Sequence, residues 1–177
     1  MTQELIEELY KRRNTPLPVQ RHCLAVARQA DHLASLLEAR GIPLCRERLW
    51  AAAMLHDVAR AERHHAAVGA AWLSELGYPE ISGAIACHHW LSETQTRQIS
   101  EASVLYLADK LISEDRAVSL EARFSGSLQK CLSEAGREMH RRRYAQAREV
   151  ERLIMEAIEG EHPSRSKRER VHCETNF

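Results

Sequence analysis

Apolar residues recur along the chain at steps of three and four rather than two, and alanine and leucine dominate the periodic stretches. That spacing predicts helices and almost no strand, so the expected fold class is all-α. Leu5, Ile6 and Leu9 mark a helix over 2–12. Thr15-Pro16-Leu17-Pro18 ends it, because proline offers no amide donor and restricts the residue before it. Val19, His22, Val26, Ala30, Leu33 and Leu37 share one stripe of a second helix over 18–40, and Gly41 suits a left-handed stop.

A third helix, 46–59, carries Leu49, Ala52, Ala53 and Leu55 and runs into His56-Asp57, which places that pair late in an apolar helix. Segments 64–76 and 79–90 read as two further helices, the latter with Ile81, Ile85 and His88 on one stripe. The polar stretch 92–98 is a loop or a solvated helix start. Asp109 then interrupts an apolar helix over 102–112. Beyond 115, Leu128, Leu132, Tyr144, Val150, Leu153, Ile154 and Ile158 trace amphipathic packing helices with little visible chemistry. The expected organisation is an N-terminal helix and turn over 1–17, a core over 18–115, C-terminal helices over 116–160 and a flexible tail over 161–177.

With 44% hydrophobic and 28% charged residues the chain has the balance of a globular protein. Lysine plus arginine (25) equals aspartate plus glutamate (25), so no overall field selects nucleic acid or an acidic membrane. The basic run over 164–170 is interrupted by Glu169 and reads as a solubilising tail, so no nucleic-acid partner is expected. No apolar run reaches the roughly 18 to 20 residues that cross a bilayer, and the start lacks an export pattern. The scattered Cys23, Cys45, Cys87, Cys131 and Cys173 show no C-x-x-C spacing. A cytoplasmic protein without a membrane partner is the expectation, with room for a homodimer.

Histidine changes the picture. His22, His56, His65 and His88 each fall on a different predicted helix, and imidazoles gathered from separate helices can form a metal nest. Asp57 and Asp109, set in apolar surroundings, would be costly to bury without a cation or donors. Nitrogen donors with a minority of carboxylates suit iron, manganese, zinc or nickel better than calcium or magnesium. Adjacent helical residues diverge by about 100°, so His56 and Asp57 either flank one divalent ion or reach two.

Five segments carry a family resemblance: Arg21-His22-Cys-Leu-Ala-Val-Ala, Ala-Ala-Met-Leu-His56-Asp57, His65-Ala-Ala-Val-Gly69-Ala, Ile85-Ala-Cys-His88-His89 and Tyr106-Leu-Ala-Asp109-Lys. In this order, over about 18–112, they resemble the HD superfamily of metal-dependent phosphohydrolases. The resemblance implies an HD-type helical bundle with additional C-terminal helices. It implies that His22, His56, Asp57 and Asp109 bind one metal, that His65 and His88 complete a second site bridged by Asp57, and that His56 and Asp57 are catalytic.

The implied reaction is cleavage of a phosphoester or phosphoanhydride of a small molecule, a nucleotide by expectation, by a metal-activated water. The competing reading is a catalytically inactive metal- or nucleotide-binding module acting as a sensor or regulatory partner. In motif pattern the chain is most similar to the bacterial HD-type symmetrical hydrolases of diadenosine tetraphosphate, which share the H-x-x-x-G-A and Tyr-Leu-Ala-Asp segments. Those follow the fourth histidine motif with threonine and glycine, where this chain has His89-Trp90-Leu91. Arg60, Arg63, His89 and Lys110 are candidate contacts for substrate phosphate. His64 reads as a neighbour of a ligand, and Trp50, Trp72 and Trp90 as packing residues rather than a base platform.

Overall fold

The computed structural model describes residues 1–160; the tail expected over 161–177 lies outside them. The described chain is helical: α1 (Gln3–Arg12), α2 (Leu17–Glu38), α3 (Arg46–Leu55), α4 (His65–Glu75), α5 (Pro79–Ala86), α6 (Glu93–Thr96), α7 (Glu101–Lys110), α8 (Leu120–Leu128) and α9 (Glu134–Glu159). Between α7 and α8 a tight hairpin pairs β1 (Ile112–Ser113) with β2 (Arg116–Ala117) in antiparallel register. The all-α expectation holds, and no helix among the described residues is long and apolar enough to cross a membrane.

The central element is α2, which packs on α3 and α7 and buries Cys23, Val26, Ala27, Ala30, Leu33, Ala34 and Leu37. Pro16 precedes its first residue, where a missing amide costs nothing. The chain leaves it through Gly41 at φ +77°, a conformation that side chains with a Cβ resist. The long helix α9 lies over α7, α8 and α2 with Ala147, Val150, Ile154 and Ala157 inward, while α5 packs on α3 and α7 and carries α4 paired against it.

Two helix ends fall four residues short of the sequence expectation, and both do so at histidines. Helix α3 stops at Leu55, so His56 and Asp57 begin a run of turns over 56–60 instead of continuing the helix. Helix α5 stops at Ala86, and His88 lies in the turn that follows. The ends of α3 expose carbonyls that need donors. Tyr10 Oη–H donates to the Met54 carbonyl, and Thr15 Oγ1–H donates to the Val58 carbonyl at 3.1 Å. The N-terminal segment thereby pins the His56-Asp57 turn from outside the core.

Trp50 and Trp72 pack partly buried against the core, and the Arg13 guanidinium covers the Trp72 ring at 3.6 Å. Trp90 departs from the packing expectation: it is 44% exposed, because it follows the end of α5 where the chain has already turned outward.

Gly69, in the middle of α4, lets that helix approach the histidine turn. A Cβ there would stand 3.4 Å from Val58 Cγ1, 3.7 Å from the Ala59 Cβ and 3.8 Å from Ile85 Cγ2. These are ordinary contact distances, so one methyl fits and a larger side chain does not. Gly69→Ala is expected to leave the melting temperature unchanged or to raise stability by up to about 1 kcal/mol through helix propensity. Gly69→Leu should lower it by about 1–3 kcal/mol through overpacking. Thermal unfolding of the two variants checks the contrast.

Candidate metal centre

Helices α3, α5 and α7 converge with their C-terminal ends at one point, and each delivers a side chain there: His56, His88 and Asp109. Helix C-termini carry partial negative charge, so three of them directed at one place favour a cation. His22 comes from the first half of α2, and His65 is the first residue of α4. His56 and His88 are 0% exposed, and Asp57 and Asp109 are 6% exposed, as expected for the two aspartates.

Three imidazoles are aimed by the same device. His56 Nδ1–H donates to the Ala53 carbonyl at 2.8 Å, and His88 Nδ1–H to the Ile85 carbonyl at 2.7 Å. Each ring thus satisfies an orphan carbonyl of the helix it terminates. His22 Nδ1 meets the carbonyl of Glu114, at the left-handed tip of the β1–β2 hairpin, at 2.6 Å. In all three rings Nε2 is left facing inward. Anchoring the outer ring nitrogen on a carbonyl is how ligand histidines are held in orientation.

The inward atoms form three overlapping groups. His22, His56 and Asp109 make one; His65, His88 and His89 make another; His56, Asp57 and His88 lie between them. Within each group the ligand atoms lie within 4.8 Å of one another. Asp57 Oδ1 is 2.9 Å from His65 Nε2 and 3.7 Å from His88 Nε2, while Oδ2 is 3.8 Å from His56 Nε2. Asp109 Oδ1 is 3.1 Å from His22 Nε2 and 3.7 Å from His56 Nε2.

Close as these atoms are, the buried His56 Nε2, Asp57 Oδ1 and His88 Nε2 have no hydrogen bond of acceptable geometry. Buried polar atoms without partners are costly, and these converge from separate elements on one spot. Imidazole nitrogens and carboxylate oxygens are the donor set of a divalent transition metal, and the residues present fit one.

The electrostatics agree. Burial favours neutral Asp57 and Asp109, yet both carboxyls are held well below their ordinary range, Asp57 by His65, His88, His56 and Arg60, and Asp109 by Lys110, His22 and His56. Burial opposes charge on His56, but Cys23 and Asp109 hold its pKa well above the ordinary imidazole value. His88 is lowered by burial, and His89 is pushed down to about 3 by burial and by the neighbouring His88, Lys110 and His65.

The remaining expected site residues divide. Arg60 has Nε 3.7 Å from Asp57 Oδ2 and Nη1 3.2 Å from His65 Nε2, at the mouth of the cavity. The Lys110 ammonium donates to Asp109 Oδ2 at 2.8 Å and to the His88 carbonyl at 2.6 Å, and it lies over the Tyr106 ring at 4.4 Å. It braces two arms of the cluster. His89 faces His65 with the two Nε2 atoms 2.8 Å apart. Arg63 and His64 are exposed and do not line the cavity, and neither does any tryptophan.

The cluster opens into a cavity of about 1140 Å³. One wall is built by α8, the following turn and the start of α9, including Arg123, Lys130, Ser133, His140 and Arg143. The helices beyond 115, expected only to pack, thus also line the cavity. Amphipathic periodicity identifies the buried stripe but not which polar residues border a cavity; the arginine-rich start of α9 is the cationic signal the sequence offers for this wall.

A helical bundle that gathers histidines and aspartates from five segments onto one interior cluster defines a class of metal-site proteins. The model of the HD domain matches residues 19–114, more than half of the 177 residues, and the chain belongs to the HD-domain family. Neither the curated proteins nor the solved structures produced a match.

A metal entering this cluster must displace the proton that His56 holds. Affinity for manganese or zinc should therefore rise with pH through and above 6.5, the ordinary histidine value, and fall as the pH is lowered. Calorimetric titration in buffers of different ionisation enthalpy should register proton release. An affinity constant from pH 6 to 8 would contradict it.

Proposed function

We propose that the protein is a metal-dependent phosphohydrolase acting on a phosphoester or phosphoanhydride of a small molecule, with a nucleotide as the favoured substrate class. The observation that carries this is the set of buried, unpartnered His56 Nε2, Asp57 Oδ1 and His88 Nε2, which ask for a cation inside a cavity large enough for a substrate. Membership of the HD-domain family, whose members are generally metal-dependent hydrolases, supports it.

In this reading His22, His56, Asp57 and Asp109 would hold one ion and His65 and His88 a second, with Asp57 between them and His89 beside His65 and His88. Bound there, iron, manganese, zinc or nickel supplies Lewis acidity and a water acidified to near neutrality. Asp57 fixes the separation of the two halves of the cluster, and His56 and His88 stay oriented by their own helix carbonyls. Arg60, exposed and beside Asp57, offers a guanidinium to phosphate oxygens at the cavity mouth. Lys110 acts as a positioning residue, since its ammonium is engaged by Asp109 and the His88 carbonyl.

The H-x-x-x-G-A segment at His65 and the Tyr106-Leu-Ala-Asp109 segment favour the subgroup that cleaves diadenosine tetraphosphate symmetrically, and the His89-Trp90-Leu91 departure argues against carrying that substrate over unchanged.

Asp57→Asn and His56→Ala should each lower phosphate release from a panel of nucleotides by at least about 100-fold, with helical circular dichroism preserved and bound metal reduced. Wild-type rates in either variant would refute the reading. Stoichiometric metal in the wild-type protein without hydrolysis of any phosphoester would select the alternative, a metal-binding sensor module.

A further inference from the structure

The wall of the cavity opposite the cluster lies wholly beyond the family-matched segment, which ends at 114. It consists of α8, the turn over 129–133 and the first turns of α9. Among the described residues no carboxylate lines it, whereas three cations do: Arg123, Lys130 and Arg143. Among the described residues none of the three forms an ion pair.

The rest of α9 makes that absence informative. Arg137, Arg141, Arg142, Arg148 and Arg152 are all paired with glutamates, mostly one turn away on the solvent side. Among the described residues Arg143 alone of the arginines of this helix has no acid, and it alone borders the cavity. The acids that line the cavity outside the cluster, Glu114 and Asp115, stand on the hairpin, where Asp115 pairs with Arg21 at 3.8 Å.

This wall is also coupled to the cluster. Arg123 Nη1 reaches Ser113 Oγ at 3.5 Å, next to the Glu114 whose carbonyl anchors His22. Tyr106, one turn before Asp109, donates its hydroxyl to the Arg143 carbonyl at 3.4 Å. The amino end of α9, capped by Ser133 on the Gly136 amide, adds a positive helix end to the same wall. A cavity of about 1140 Å³ holds far more than one phosphate.

We propose that Arg123, Lys130 and Arg143 form a specificity site for a second phosphate of the substrate, distal to the phosphate that meets the histidine–aspartate cluster. The assignment of the first phosphate rests on the phosphohydrolase reading; the binding of the second requires no turnover. The second phosphate belongs either to a polyphosphate chain or to another position of the same small molecule.

The test is calorimetric binding of adenosine 5′-monophosphate, adenosine 5′-diphosphate and adenosine 3′,5′-bisphosphate to the manganese-loaded full chain. The wild-type protein should bind at least one of the two-phosphate ligands at least about tenfold more tightly than the monophosphate, and which one identifies the arrangement. The combined Arg123→Ala, Lys130→Ala, Arg143→Ala variant should lose that preference while its monophosphate affinity stays within about twofold. Arg123→Lys with Arg143→Lys, which keeps the charge, should retain most of it and guards against a folding defect. No preference in the wild type, or an undiminished preference in the alanine variant, overturns the inference. Phosphate release followed across the wider panel of nucleotides and phosphoesters separates the two readings: preference in binding with no hydrolysis of any of them defeats the hydrolase and leaves the second-phosphate site standing.

Discussion

The arrangement around the cluster follows from burying two carboxylates, Asp57 and Asp109, in a helical core. A buried carboxylate must find a proton, strong donors or a cation, and the surrounding groups are arranged to keep both of these ionised. Four imidazoles, Arg60 and the Lys110 ammonium stand around them, yet Asp57 Oδ1 and two histidine nitrogens still lack hydrogen-bond partners. The centre is therefore poised for a positive ion rather than satisfied by its own side chains.

That requirement explains why α3 and α5 end where they do. If α3 continued through His56, the last carbonyls of the helix would stay paired along its axis and the ring would project from its side. Stopping at Leu55 frees those carbonyls; His56 takes that of Ala53 and Tyr10 that of Met54, Thr15 holds the Val58 carbonyl of the turn that follows, and the imidazole Nε2 is turned toward Asp57 and Asp109. The same solution recurs at His88. Helix termination, ring orientation and a negative helix end thus come from one local event, used twice. Gln146 of α9 then fastens the turn after His88 by bonding both the amide and the carbonyl of Leu91.

The elements beyond the family-matched segment build one wall of the cavity into which this centre opens. They cover α7 with an apolar stripe, and they present cations to the cavity while the arginines on the outer face of α9 are neutralised by neighbouring glutamates. One amphipathic helix so carries a buried stripe on one side, paired charges on another and a cavity-lining arginine, Arg143, along the border between them.

Most of the helices were legible in the sequence, because the three-and-four spacing of buried residues such as Val26, Ala30, Leu33 and Leu37 is a local property of the chain. The order of His22, His56-Asp57, His65, His88 and Asp109 likewise pointed to one cluster and to its family. The sequence could not show that His56 and His88 stand in turns, since apolar periodicity continues past a helix end whose carbonyls are taken by residues such as Tyr10, 44 positions away. Nor could it show that His89 faces His65, that Lys110 braces His88 and Asp109, or that Arg143 differs from the paired arginines beside it. By itself the sequence determined the helices and the donor types, which depend on neighbours within a few turns. Which donor faces which, and which cation is left without an acid, was decided by the tertiary structure, because those contacts join residues that only the packed core brings together.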